Sequence, residues 1–99
     1  MPRFHVYRLR RDDTLLLDLQ ADLLDVLKTR IVAPLIPVDQ MPWAIAHLNP
    51  HFEVAGKQYV MATQRMAAIS TSEIGPYVAD LSQQRDRIVA ATDFLFQGF

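Results

Sequence analysis

The hydrophobic period changes once along this chain, near Ser72, and that change limits what the chain can fold into. Before it, apolar and polar residues alternate in short runs between turn residues, which is the period-two pattern of strands. Residues 4–8 (Phe4-His5-Val6-Tyr7-Arg8) alternate in this way. Arg10-Arg11-Asp12-Asp13 makes a charged turn, and residues 15–19 supply a second strand that closes a hairpin on the first. Residues 23–28 fit either a helical turn or an irregular loop. Residues 31–37 are apolar and β-branched, but Pro34 and Pro37 have no N–H to donate. They predict a strand at a sheet edge, or one that carries a break. Met41-Pro42-Trp43 closes a connecting segment, with Trp43 expected to pack, because large aromatics dominate cores. Residues 52–54 and 58–63, joined by Ala55-Gly56, read as a second hairpin. Residues 66–70 form a short further strand.

Beyond Ser72 the pattern turns helical. Ser72, Glu73, Gly75 and Pro76 resemble a helix N-terminus, where proline is tolerated in the first turn. From Tyr77 onward, Val78, Leu81, Ile88, Ala91 and Leu95 share one stripe. Asp80, Gln83, Gln84, Arg87 and Asp93 mostly fill the other side, and Gly98 stands where a C-cap glycine belongs. The prediction is a mainly β, α+β domain spanning residues 1–99, with antiparallel strands followed by one long C-terminal helix. At 99 residues the core is modest, and dimerisation would help it.

Composition removes several function classes. The formal net charge is -1, without the basic footprint of free-standing nucleic-acid binding. No cysteine is present, so disulfides and thiolate metal sites are excluded. Charged residues interrupt every apolar stretch well short of a membrane span, and the first residues lack the apolar region of a secretory signal. A soluble, cytoplasmic protein without membrane contact is expected.

Chemistry-bearing residues are sparse. His47 and His51 are four apart, but Asn49-Pro50 between them breaks a helix, and no third ligand stands out. No metal site and no cofactor are therefore expected. Ser70 or Ser72 with a histidine and an aspartate makes a triad only on paper, since no nucleophile elbow is present. Gly56, Gly75 and Gly98 are isolated and form no phosphate loop. Arg8, Arg10 and Arg11 cluster at the first turn beside Arg3, partly neutralised by Asp12 and Asp13. They read as a solvated hairpin tip or as a docking patch for an acidic peptide. No catalytic residue is assigned.

The last six residues, Phe94-Leu95-Phe96-Gln97-Gly98-Phe99, are the strongest functional signal. The aromatics at i, i+2 and i+5 cannot share one helix stripe. Leu95 can face the core, while Phe94, Phe96 and Phe99 point in different directions, some onto a second apolar surface. That surface is expected to be a dimer interface, a partner contact, or both around a two-fold axis.

The chain resembles the CcdB family of plasmid and chromosomal bacterial toxins along nearly its whole length. The resemblance is carried by Phe4-x-Val6-Tyr7, Leu17-Asp18-Leu19-Gln20-Ala21-Asp22 and Arg30-Ile31-Val32-Ala33-Pro34-Leu35. It continues in Met61-Ala62-Thr63, Ile74-Gly75, Val78-Ala79-Asp80-Leu81-Ser82 and Phe96-x-Gly98. It implies a CcdB/MazF-like, SH3-type antiparallel sheet with a small β wing and a C-terminal helix at a homodimer interface, to which Phe94, Leu95 and Phe96 would contribute. It further implies a toxin that binds DNA gyrase A and traps the cleaved gyrase–DNA complex without bond chemistry of its own. A cognate antitoxin would neutralise it with a disordered C-terminal segment, for which Arg8, Arg10 and Arg11 are the candidate contacts. Operator DNA would be repressed only through the antitoxin.

The target contact implied by the resemblance comprises Gln97, Gly98 and Phe99, with Phe96, Asp93, Leu23 and Leu24 nearby. The family carries Trp-Gly-Ile at the last three of its positions, and this chain has Gln97 where the indole stands. It also has Asp93 where the well-known toxin has asparagine, and Leu23-Leu24 in place of paired isoleucines. A CcdB-fold homologue with a weakened or changed target, still binding antitoxin, is therefore the alternative. A MazF-like endoribonuclease is a third reading. It would require Arg30 or Arg65 beside a histidine or aspartate, which nothing in the sequence brings together.

Overall fold

In the computed structural model, which describes residues 1–99, seven strands precede one helix. The strands are β1 (His5–Leu9), β2 (Leu15–Asp18), β3 (Thr29–Pro37), β4 (His51–Val54), β5 (Lys57–Met61), β6 (Ala67–Ser70) and β7 (Ile74–Asp80), and the helix is α1 (Arg85–Gln97). They form one antiparallel sheet in the order β4-β5-β3-β2-β1-β7, with β6 also paired to β3. Strand alternation sets two faces. Val6, Leu15, Leu17, Ala33, Leu35 and Met61 share the main core with Phe52, Val54 and Ile88 of α1. A smaller cluster on the other face joins Leu9, Leu16, Val32 and Ile69.

The second hairpin forms as its sequence predicts. Ala55 (φ 52°) and Gly56 (φ 81°) are both left-handed, as a two-residue turn matched to the twist of its strands requires, and Val54 pairs with Lys57. Residues 23–28 resolve into a 3₁₀ turn over Asp22–Leu24 followed by irregular backbone.

Three expectations change. First, β3 is not an edge strand. It pairs with β2 on one side, and on the other with β6 through Thr29 to Val32 and with β5 through Leu35 to Pro37. Pro34 falls between those two partners, so its missing donor costs no ladder bond, while its carbonyl still accepts from the Ala62 N–H at 2.9 Å. β3 itself carries no break either, its register with β2 running unshifted through Pro34; the gap lies on the other side, between β6 and β5. Second, the helix does not begin near Pro76. Residues 74–80 are β7, paired with β1 through Val6–Ala79 and Tyr7–Tyr77. Val78 and Leu81 satisfy a helical spacing by coincidence, because both reach the core from strand and turn. Pro76 is tolerated because β7 lies at an edge. Asp80 then accepts the Ser82 N–H at 2.8 Å, and a 3₁₀ turn leads into a 13-residue α1. Third, Trp43 does not pack, being 65% exposed; Met41 fills that place, against Val60 and Ala62. No helix is long and apolar enough to cross a membrane.

Candidate functional site

The end of α1 is closed by Gly98, left-handed at φ 81°, whose N–H donates to the Phe94 carbonyl at 2.9 Å. This cap lets the chain leave the helix without fraying. It also fixes the directions of the aromatics. Phe94 and Leu95 are half-buried, while Phe96 is 72% and Phe99 85% exposed. Phe94 lies 6.4 Å from the ring of His47.

Two grooves flank the helix end. One, of about 310 Å³, is lined by Leu24, Ile31, Met66, Thr92 and Phe96, with Arg3, Leu19, Gln20 and Ala21. The other, of about 340 Å³, is lined by His47, Ala90, Phe94, Gly98 and Phe99. Helical spacing explains the division: Thr92 and Phe96 are four apart, as are Ala90 and Phe94. Asp93 and Gln97 share a third, exposed stripe. Leu24 thus meets Phe96 in one groove, whereas Leu23 points to solvent.

Beneath the loop over residues 21–28 lies a polar cluster that sequence reasoning did not single out as a site. Arg30, fully buried, bonds Asp18 on β2 through Nε at 3.1 Å and through Nη2. Its Nη1 donates to Asp25 at 2.9 Å, and Nη2 also reaches the Met1 carbonyl at 2.9 Å. Burial pushes the Asp18 carboxyl up, against the bonds from Arg30 and the Gln20 N–H. The Met1 ammonium, 3.1 Å away, holds the Asp25 carboxyl below its ordinary range. Burial, with Asp18 near, raises the Tyr7 hydroxyl. The available signal was the alternation Leu17-Asp18-Leu19-Gln20. It puts Asp18 and Gln20 on the sheet face that Arg30 shares through the pairing of Asp18 with Val32.

The basic cluster at the first turn is dispersed. Arg10 donates to the carbonyls of Ser72 and Ile74 at 3.0 and 3.1 Å, and Arg11 pairs with Glu73 at 3.5 Å. Arg8 is half-buried within β1. His47 and His51 are exposed, and no three His, Asp or Glu side chains converge as metal ligands. His5 sits 3.6 Å from Asp80 and 5.1 Å from the Tyr77 ring. Ser70 and Ser72 bond each other at 2.9 Å.

A family model described as "CcdB protein" matches residues 3–98. The chain belongs to the CcdB family. That places it among the toxins of toxin–antitoxin modules. Among solved structures, this CcdB-family chain is similar to an endoribonuclease in complex with its cognate antitoxin from mycobacterial species. The two share 14% identity at a TM-score of 0.77, over 97% of this chain and 94% of that one. At that identity the likeness is one of fold: the curled antiparallel sheet with its C-terminal helix.

Proposed function

We propose that this CcdB-family protein acts as a homodimeric toxin that binds DNA gyrase A through the end of α1 and the adjoining 21–28 loop. It traps the gyrase–DNA cleavage complex by binding that state better than the others, a population shift without bond chemistry. The carrying observation is that a capped, ordered helix ends in apolar residues turned away from its own core, with Phe96 and Phe99 largely exposed. Phe96 shares its groove with Leu24, so helix and loop offer one apolar surface. Phe94, Leu95 and Phe96 serve the dimer; Phe96 also serves the target, with Gln97, Gly98, Phe99, Asp93, Leu23 and Leu24. A cognate antitoxin neutralises the toxin with a disordered C-terminal segment and itself contacts operator DNA, in keeping with a net charge here of -1. Arg8, Arg10 and Arg11 are the candidate antitoxin contacts; Arg10 is tied to two backbone carbonyls, whereas Arg11 is largely exposed beside Glu73.

Gln97 supports a second reading, in which fold, dimer and antitoxin binding persist but the gyrase grip is weakened or redirected, since an amide has no π-face for a cation. A ribonuclease is disfavoured. Arg30 does meet two aspartates, but it is buried in an ion pair. Arg65 lines a groove that holds neither histidine nor carboxylate. The deciding experiment incubates purified dimer with gyrase and supercoiled DNA. Accumulation of cleaved DNA supports poisoning; none at saturating dimer, with gyrase A bound or unbound, rules it out.

A further inference from the structure

No residue from 21 to 29 is buried. A loop usually keeps its shape by sinking an apolar side chain into the core, and one without such an anchor opens readily. Here Leu23 and Val26 are 90% and 88% exposed. The loop is instead gripped from below by polar groups. Gln20, itself buried, donates from Nε2 to the Leu24 carbonyl at 3.1 Å and accepts the Ile31 N–H on Oε1 at 3.1 Å. The same Leu24 carbonyl takes the Leu27 N–H at 3.1 Å. Arg30, braced by Asp18, holds Asp25 one residue further on. Burying a guanidinium and an amide is unfavourable unless every bond is made, and no buried side-chain N or O lacks a partner. A small core therefore gives up apolar volume to fix a loop whose own apolar residues stay in solvent.

We infer that Gln20 and Arg30 are positioning residues for an apolar docking loop, holding Leu24 beside Phe96 so that both meet the target as one preformed surface. Such preorganisation lowers the ordering cost of binding. The inference rests on the reading that this surface contacts gyrase A.

Two variants test it. Gln20→Met removes both amide bonds without adding charge. Gln20→Glu keeps the acceptor for Ile31 and loses the donor to Leu24. Amide hydrogen exchange and affinity for purified gyrase A are measured on parent and variants, with Leu24→Asp as the docking control. Exchange over residues 22–28 is expected to rise by about tenfold, with little change in β2 or in dimer mass. Affinity is expected to fall by about fivefold through lost preorganisation, and further in Leu24→Asp. A loosened loop with parental affinity overturns the positioning role, and unchanged exchange in both variants overturns the clamp. A parent that does not bind gyrase A, or a Leu24→Asp variant that binds like the parent, sinks the docking reading and this inference with it.

Discussion

Asp18 and Arg30 meet on one face of the sheet from β2 and β3, Arg30 lying two residues from Val32, the register partner of Asp18, and neither side chain reaches solvent. Removing one partner of such a pair leaves an uncompensated buried charge, which costs about 3–5 kcal/mol. Arg30→Met should lose about that much stability in urea melts, and Asp18→Leu less, because Asp25 and the Met1 carbonyl still hold Arg30. The double variant should recover a large part of it, because no lone charge remains. It should not recover the order of the 21–28 loop, since Asp25 keeps no guanidinium. A double variant as unstable as the sum of the singles would show that the pair does not act as a unit.

Gln97→Trp restores an indole on the exposed stripe that also carries Asp93. A cation–π contact is worth about 0.5–2 kcal/mol, or about 2–30-fold in affinity. Gyrase cleavage should therefore appear at correspondingly lower toxin concentration, while the melting midpoint stays within error, since Gln97 is exposed. Equal cleavage by parent and variant would mean that the tip grips its target without the indole.

The three glycines should respond unequally to alanine. At Gly75 an added Cβ would sit 2.8 Å from the Arg8 carbonyl oxygen, a backbone atom that cannot swing aside. Gly75→Ala should push β7 off β1 and destabilise by about 1–3 kcal/mol, as overpacking does. At Gly56 and Gly98 nothing lies within 4 Å, so alanine costs only the left-handed backbone strain, about 1–2 kcal/mol. Gly98→Ala should also loosen the tip, seen as faster exchange at the residue 98 amide. A Gly75→Ala variant that melts with the parent would contradict the packing at β7.

How much of this was legible follows from range. The Ala55-Gly56 hairpin and the Gly98 cap were readable because each depends on a few adjacent residues. The course of β7 was not, because Val78 and Leu81 satisfy a strand-plus-turn and a helix equally well; only pairing with β1 decides. Pro34 looked incompatible with an interior strand until two successive partners left a gap at its nitrogen. At the site, the tail was conspicuous, and the 21–28 loop entered through resemblance alone. The clamp beneath it was only half legible: alternation puts Asp18 and Gln20 on one face, but Gln20, Asp25 and Arg30 become neighbours only when the chain turns from β2 into β3.

Acid should weaken the fold through carboxylates that hold turns together. Asp80 accepts the Ser82 N–H at the entrance to α1, and Asp12 accepts the Thr14 N–H in the first hairpin, both at 2.8 Å. These bonds favour the charged form, so both carboxyls lie below their ordinary range, with His5 adding to the effect at Asp80. A carboxyl depressed in the folded state binds fewer protons there than in the unfolded chain. Its stabilisation is therefore complete above the unfolded value, about 4, and is lost as pH falls through the lower folded value. Stability from urea melts should hold from pH 7 to about 5 and decline below about 4. Asp80→Asn keeps an acceptor oxygen for Ser82 but cannot ionise. It should leave the neutral-pH geometry of the turn intact and flatten the acid limb of the profile. An acid limb as steep as the parent's would assign the pH dependence to other groups.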